Sequence, residues 1–453
     1  METKNMVLSV SKLGEGMVGP CEATPSDILS LSLIDALPGM RPKVRSLHVF
    51  RHGPNAAAVI REALSRVLVH YYPLAGRLIE SPLLQLACTG EGVWFVEASS
   101  QCNLEAIDYL DNEVLEWRLQ LLPQPPPDKD GFDPLLLVQA SVRECVTQFK
   151  CGGFVMGLQF SHCVCDGLGA AQFLKAVGES ARGLQLPTIP PAWCREFLPA
   201  QPIAHAILQQ QPPPPPPSYV EEHNRPLKHA DIDISSDSIA RLKRQFWEIT
   251  GKPCSTFEVL AARVWKCRAQ AITYNNSTAA AGANHNNLNG DDATLVFFSN
   301  VRRLVVPPLP QGFYGNCIFP VVVSLPLEKL RCTSQVETVK LIQEAKAKLP
   351  SQFSKWVGRT EIDDDDDGYM DPFGAAPLSY ATLFVSEWGR LGFGDVDYGW
   401  GPPIYFVPAD YSGTIPVCIV GCPPSSDKGV RLMTWCVEDS HLNIFRQLLM
   451  NKP

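Results

Sequence analysis

Apolar and polar positions divide the chain into short alternating runs and a few longer stretches with helical spacing. Near the N-terminus MVLSVSKL and RSLHVF read as strands. Between residues 56 and 72, AAAVIREALSRVLVHYY carries apolar residues at intervals of about 3.6, the mark of an amphipathic helix. Pro73 is predicted to end that helix, because it has no amide donor and its ring collides with the preceding turn. Strand-like runs follow in LLQLACTG, VWFVEA and LLLVQASVREC, and then in VTQFKC and GFVMGLQFSH, which a glycine turn would join. Together they predict a sheet with helices around it.

Residues 186–223 change character, through LQLPTIPP and QQQPPPPPPSYVEEH. Six prolines from Pro212 to Pro217 favour an extended polyproline conformation, so this stretch is the expected crossover between domains 1–185 and 224–453. Beyond it STFEVLAARVWKCRAQAI reads as a helix, TLVFFSNV as a strand, SQVETVKLIQEAKAKL as a helix and HLNIFRQLLM as the last helix. Two polar insertions stand out, NNSTAAAGANHNNLNGDD and the acidic run Asp363–Asp367. Carboxylate runs in loops are usually solvated and no EF-hand spacing is present, so no metal site is expected there.

At 453 residues the chain exceeds one ordinary core, and its 45% hydrophobic and 19% charged residues suit a well-packed globular enzyme. A net charge of -8 offers no electrostatic reason for a nucleic-acid partner, since phosphate backbones are held by clustered Lys and Arg. No apolar run is long enough to span a membrane, and METKNMVLSV lacks the pattern of a secretory signal, so a cytoplasmic protein is expected. The fifteen cysteines are odd in number and many sit in apolar runs, which reads as reduced thiols. Asn275 and Asn276 begin glycosylation triplets, but without a secretory signal these mark only a polar loop.

The sharpest local signal is FSHCVCDGLGAAQFL, in which an apolar strand ends at His162 and a helix starts after Asp166 and Gly167. A strand-to-helix turn exposes a side chain at the sheet edge, and Asp166 can cap the helix that follows. A histidine at a strand end is more often structural, so the motif needs support. That support is VSEWGRLGFGDVDYGWGPP, with Asp397, Tyr398, Gly399, Trp400 and Gly401. Cys163 and Cys165 could suggest a thiol nucleophile, but neighbours on a strand point to opposite faces, so Cys163 should turn away from the face His162 uses. GEGMVG at residues 14–19 matches a dinucleotide fingerprint in letters only, since Pro20 follows and no helix opens there. The serine hydrolase elbow does not occur.

Together the two motifs resemble those of the plant BAHD acyltransferases, with Tyr398 in place of the usual phenylalanine. The resemblance extends through HYYPLAGRL, CTGEGVWFVEA, CGGFVMGLQFSH, STFEVLAARVW and NVRRLVVPPLPQGFYGN. It looks closest to the branch of taxane acyltransferases and benzyl alcohol benzoyltransferases, through MVGP, VIREALSRVLVHYYPLAGRLIE and GLGAAQFLKAVGESARG. It implies a mixed α/β fold of two chloramphenicol-acetyltransferase-like domains, each a mixed β-sheet flanked by helices, joined by a long crossover loop.

By the same resemblance His162 is the general base, Asp166 holds the turn beside Gly167, and Asp397 is structural, paired with Arg302. Ser386 and Trp388 match an element near the reacting carbonyl, and Ser255 and Thr256 match positions near the coenzyme. Trp400, between Gly399 and Gly401, reads as a packed aromatic, and Trp388 reads equally as core. No cofactor is expected to be permanently bound and no metal; acyl-CoA is the implied co-substrate, and a small alcohol the acceptor, on a monomer.

An alcohol at neutral pH is protonated, and an imidazole positioned to take its proton makes it a nucleophile. One base then suffices in a ternary complex, and its imidazolium can protonate the departing thiolate. Transfer to an amine, thioester hydrolysis and coenzyme binding without catalysis are the alternatives.

Overall fold

The computed structural model of the protein describes residues 9–80, 84–100, 102–111, 115–126, 134–142, 152–198, 226–274, 292–358, 371–374, 376–409, 415–424 and 429–451. The Pro212–Pro217 run, Asn275, Asn276, the Asp363–Asp367 run and the strand expected at VTQFKC lie outside the described residues. In chain order the first elements are β1 (Val10–Val18), β2 (Ile28–Ser30), β3 (Lys43–Phe50), α1 (Ala56–His70), β4 (Arg77–Glu80), β5 (Leu84–Ala87), β6 (Val93–Ser100), α2 (Leu115–Gln120), β7 (Leu136–Val142), β8 (Phe154–Ser161) and α3 (Gly167–Ala181). Next come β9 (Leu227–Ser235), α4 (Ser236–Thr250), α5 (Thr256–Ile272), β10 (Asp292–Asn300), β11 (Ile318–Pro326), α6 (Leu327–Cys332) and α7 (Gln335–Val357). The last are β12 (Thr382–Glu387), β13 (Tyr405–Pro408), β14 (Val417–Gly421), β15 (Gly429–Glu438) and α8 (Asp439–Met450).

These elements fall into two compact units. The first comprises residues 1–208, 305–317 and 390–410, and the second comprises 209–304, 318–389 and 411–453. The first unit is built on a six-stranded sheet in the order β1-β6-β7-β8-β3-β13, beside a small sheet β2-β5-β4. Among the described residues, only β6 and β7 run parallel in the large sheet. Helix α1 buries Ile60, Leu64, Val67 and Leu68, the 3.6-residue stripe expected of it, and it ends at His70. Pro73 sits in the 3-10 turn that follows, where its missing amide breaks no helical bond.

In the second unit the order is β11-β10-β12-β14-β15-β9, with β10, β12 and β14 parallel to one another. One face of this sheet, through Leu295, Leu383, Val385, Cys418, Leu432 and Ile232, is buried with Val259, Leu260, Trp265, Ile342 and Phe445 from α5, α7 and α8. Helix α4 was not among the predicted elements. It buries Ile239, Leu242 and Phe246 at helical spacing between charged residues, and Ser235 caps it by accepting from Ser238 N at 3.2 Å. Helix α7 runs on through Pro350 past the expected end, because Phe353 and Trp356 in its last turns pack on Phe319 at ring distances of 5.6 and 5.5 Å.

The expected contiguous division of the chain differs from this arrangement in two respects, the first being that residues 186–198, expected in the crossover, belong to the first unit. The second is that segments 305–317 and 390–410, placed by sequence in a domain 224–453, belong to the first unit. Strand β13 supplies the reason, pairing with β3 from Tyr405↔Val49 to Pro408↔Ser46 and so satisfying an edge that would otherwise present unpaired backbone groups. Asp397–Gly401 therefore lies in the first unit. The thirteen cysteines among the described residues are all free thiols.

Candidate active site

Strand β8 ends at Ser161 and α3 begins at Gly167, so His162 opens the connecting turn. Cys163, Val164, Cys165 and Asp166 are all buried, whereas His162 is partly exposed. Asp166 is the N-cap of α3: its Oδ1 accepts from Gly169 N at 3.0 Å, and its Oδ2 accepts from Cys317 N at 3.2 Å. A capping carboxylate satisfies an orphan amide and lies at the positive end of the helix dipole. Gly169 has to be glycine, since a Cβ there would collide with the carbonyl oxygen of Tyr314, and one on Gly167 would meet the Leu391 side chain. Cys163 donates its thiol to the Met40 carbonyl at 3.2 Å, and burial pushes that thiol up to about 11. A thiol so placed is not a nucleophile at neutral pH.

The imidazole of His162 is held by a chain of partners that sequence reasoning did not identify. Its Nδ1 lies 3.0 Å from Asn316 Oδ1. The amide nitrogen of Asn316 donates to Asp35 Oδ1 at 2.7 Å and to the His162 carbonyl at 2.6 Å. Asp35, itself fully buried, accepts from Ser32 N at 3.1 Å and lies 2.7 Å from Arg195 Nε through its other oxygen. That Nε points off the line of a straight hydrogen bond, so the contact is an ion pair in character. Arg195 also donates to the carbonyls of Trp193 at 2.7 Å and Val164 at 2.6 Å, and its guanidinium lies 4.1 Å over the Trp193 ring. Asn316 closes the segment NVRRLVVPPLPQGFYGN that carries the resemblance, whereas nothing local in the sequence marks Asp35 or Arg195. Each is an ordinary polar letter until the fold brings them together.

The later motif forms a turn of its own in the first unit. Asp397 Oδ1 accepts from the amides of Gly399 at 2.8 Å, Trp400 at 3.0 Å and Gly401 at 2.8 Å. Burial alone would raise this carboxyl, but the amides of Gly399 and Gly401, the Arg182 guanidinium and the Trp400 amide outweigh it and hold the carboxyl below the usual carboxylate range. Gly399 and Gly401 have φ of 108° and 95°, which only glycine adopts without strain. Arg182 donates to the Asp397 carbonyl, and a Cβ on Gly178 of α3 would collide with the same oxygen, so the turn lies directly against that helix. Tyr398 is buried, its hydroxyl 3.4 Å from Met156 Sδ and its ring edge-on to Phe50, while Trp400 meets Phe154 edge-on.

Ser386, Trp388, Arg302, Ser255 and Thr256 belong to the second unit. On β12, Leu383 and Val385 join the helix-covered core, so by alternation Ser386 points from the opposite face, where it is partly exposed. Trp388 follows the strand, nearly buried, its backbone amide donating to the Val420 carbonyl at 2.8 Å. Arg302 places its backbone amide 3.0 Å and its Nη1 3.3 Å from Asn300 Oδ1. Ser255 is the N-cap of α5 in a capping box: its Oγ accepts from Glu258 N at 3.1 Å while Glu258 Oε2 accepts from Ser255 N at 2.9 Å. Thr256 is the first residue of that helix. Among the described residues no group of three His, Cys, Asp or Glu side chains could hold a metal ion, and no helix is long and apolar enough to cross a membrane.

Comparison with known proteins places this architecture. Residues 8–449 match the model of the Transferase family. Acyl transferase 4 of Oryza sativa subsp. japonica is 38% identical over 98% of both chains. The myricetin 3-O-glucosyl 1,2-rhamnoside 6'-O-caffeoyltransferase AT2 of Crocosmia x crocosmiiflora is 37% identical over 97% of this chain and 98% of its own. A 3'-N-debenzoyl-2'-deoxytaxol N-benzoyltransferase of Taxus canadensis is 34% identical over 87% of this chain and 84% of its own, so the taxane branch is represented at lower identity than the other two. Among solved structures, vinorine synthase covers 96% of both chains with a TM-score of 0.69 at 21% identity. TRI101 of F. sporotrichioides, complexed with coenzyme A and T-2, covers 94% of this chain and 98% of its own with a TM-score of 0.64 at 13% identity. Both structures share the fold of paired mixed sheets flanked by helices, and the chain belongs to the Transferase family of plant BAHD acyltransferases.

Proposed function

We propose that the protein transfers an acyl group from a coenzyme A thioester to a hydroxyl of a small molecule, with His162 as general base. The single observation that carries this reading is the placement of His162: the residue is partly exposed in a turn whose next four residues are buried, and its ring is anchored at Nδ1 by Asn316 Oδ1. An imidazole held in that way has a second nitrogen with which to meet a substrate. The acceptor hydroxyl loses its proton to the imidazole as its oxygen bonds to the thioester carbonyl, a service worth a factor on the order of a hundred to ten thousand. The carbon–sulfur bond then breaks, and the imidazolium returns the proton to the coenzyme A thiolate.

Ser386 on β12 and Trp388 just after it stand near the developing oxyanion, and Ser255 and Thr256 near the coenzyme. Support for the coenzyme comes from the structural neighbour complexed with it. Caffeoyl and benzoyl transfer by relatives supports an aromatic acyl group among the donors, and the taxane relative makes an amine the alternative acceptor. The protein acts in the cytoplasm, as a monomer.

The test crosses a panel of acyl-CoA donors with alcohols and amines and reads products by mass spectrometry. Acyl esters formed by the wild type and nearly none by His162→Ala, with coenzyme A affinity retained, is the expected result. Thioester consumption as fast without acceptor as with it would make the protein a hydrolase. A burst of free coenzyme A before acceptor is added would replace the ternary complex with an acyl-enzyme.

A further inference from the structure

The chain of contacts behind His162 is built from groups whose donor and acceptor capacities are fixed, and that decides where the imidazole proton sits. The Asn316 amide nitrogen faces a carboxylate oxygen of Asp35 at 2.7 Å and the His162 carbonyl at 2.6 Å. Both are acceptors only, so the side-chain amide cannot be turned over without setting its oxygen against two other oxygens. With the nitrogen held there, Oδ1 is the atom presented to His162 Nδ1 at 3.0 Å. An amide oxygen cannot donate, and Nδ1 therefore carries the hydrogen and donates it. A neutral imidazole has one N–H, which leaves the lone pair on Nε2.

We propose that the buried Asp35–Arg195 pair sets the orientation of the Asn316 amide and, through it, fixes His162 as the Nδ1–H tautomer with Nε2 as the base. This rests on the reading of His162 as the base. Asp35, Arg195 and Asn316 are positioning residues that act through the imidazole and touch no substrate.

Two features show that Asp35 is itself held rigidly enough to do this. Its carboxylate is gripped on both oxygens, Oδ1 by Asn316 and Oδ2 by Ser32 N and Arg195 Nε, inside a site where Asp35 and Arg195 are 0% and 1% exposed. Arg195 in turn donates to the Val164 carbonyl, within the turn that His162 opens, so the same guanidinium braces the carboxylate and the backbone of the base. A Cβ on Gly315, the residue before Asn316, would occupy the place of that guanidinium. The neutral amide between His162 and Asp35 gives the imidazolium formed in turnover an acceptor at Nδ1 without placing a carboxylate against the ring. The Asp35 charge is met by Arg195 instead.

The experiment uses the full-length enzyme with histidine labelled by nitrogen-15, the His162 signals being assigned by their loss in His162→Gln. The wild type is expected to show a protonated Nδ1 and an unprotonated Nε2 at neutral pH. Asp35→Asn keeps the shape but presents Asn316 with a donor as readily as an acceptor. The expected result is a mixed tautomer signal, a kcat lower by roughly ten- to a hundredfold, and KM for both substrates within about twofold. Since stripping a buried ion of its partner is strongly destabilising, Asn316→Leu is the second variant. It leaves Asp35 and Arg195 paired and is expected to give the same mixed signal and the same loss of kcat. A folded Asp35→Asn or Asn316→Leu enzyme with wild-type kcat and an unmixed Nδ1–H signal overturns the proposal. Wild-type turnover by His162→Ala would instead remove the base itself, an outcome distinct from loss of the tautomer lock.

Discussion

Cys317 donates its backbone amide to Asp166 Oδ2 at 3.2 Å, which ties the cap of α3 to the residue directly after Asn316. One carboxylate thus fixes both the turn that carries His162 and the segment that orients it. Its two oxygens perform the two tasks separately, Oδ1 on Gly169 and Oδ2 on Cys317.

Replacing Asp166 with Ala therefore removes a helix cap and leaves a buried amide without its acceptor. The expected loss of stability is about 2–3 kcal/mol, read from urea unfolding. Turnover should fall along with it, because Asn316 is no longer anchored from behind. Asp166→Asn, which keeps an acceptor oxygen for Gly169, should recover most of the stability. Equal losses in the two variants would show that the cap is not the source.

At Asp397 the expected effect of substitution by Ala is a lower melting temperature, since three amides lose one shared acceptor. The cost should be about 1–2 kcal/mol. The proposed pair with Arg302 is tested by the double variant: if the two side chains interact, the losses from Asp397→Ala and Arg302→Ala sum to more than the loss in the double variant. Strict additivity would leave Asp397 as an anchor of its own turn alone.

His48 gives the fold a defined pH dependence. Its ring is fully buried on β3, edge-on to Phe393 at 5.2 Å and stacked on Phe406 at 6.2 Å, with Ser46 Oγ 3.1 Å from Nε2. Burial lowers its pKa to about 3. The unfolded chain takes up a proton near the ordinary histidine value of about 6.5 and the folded chain does not, so this residue's contribution to stability is lost as pH falls between those values. The slope should approach about 1.4 kcal/mol per pH unit below pH 6. His48→Phe should remove that part of the slope, and an acid sensitivity identical to the wild type would assign the effect to other groups.

The Ser255 capping box separates two roles of one residue. Ser255→Ala should cost about 1 kcal/mol whatever binds nearby, because the amide of Glu258 loses its cap. A rise in KM for acyl-CoA beyond that expected from the stability loss would support the coenzyme role proposed for Ser255 and Thr256. An unchanged KM would leave Ser255 a helix cap only.

Local chemistry in the sequence was enough to mark α1, β8, α3 and α5, since periodicity, a cap and a turn are decided within a few residues. His162, Asp166 and the Asp397–Gly401 turn were legible for the same reason: each of their main geometries, a strand end, an N-cap, an amide nest between two glycines, is completed by neighbours in the chain. Helix α4 carries the same kind of local signal, with Ile239, Leu242 and Phe246 at helical spacing behind the Ser235 cap, but its many charges lower its overall hydrophobicity.

Only the tertiary structure decided that segments 305–317 and 390–410 return to the first unit, for a strand's pairing partner is not encoded in its own alternation. It alone also decided what stands behind the base. Asn316 lies 154 residues from His162 and 281 from Asp35, so no spacing along the chain could reveal a hydrogen-bonded relay whose geometry exists only after the sheet and its connecting loops have closed around it.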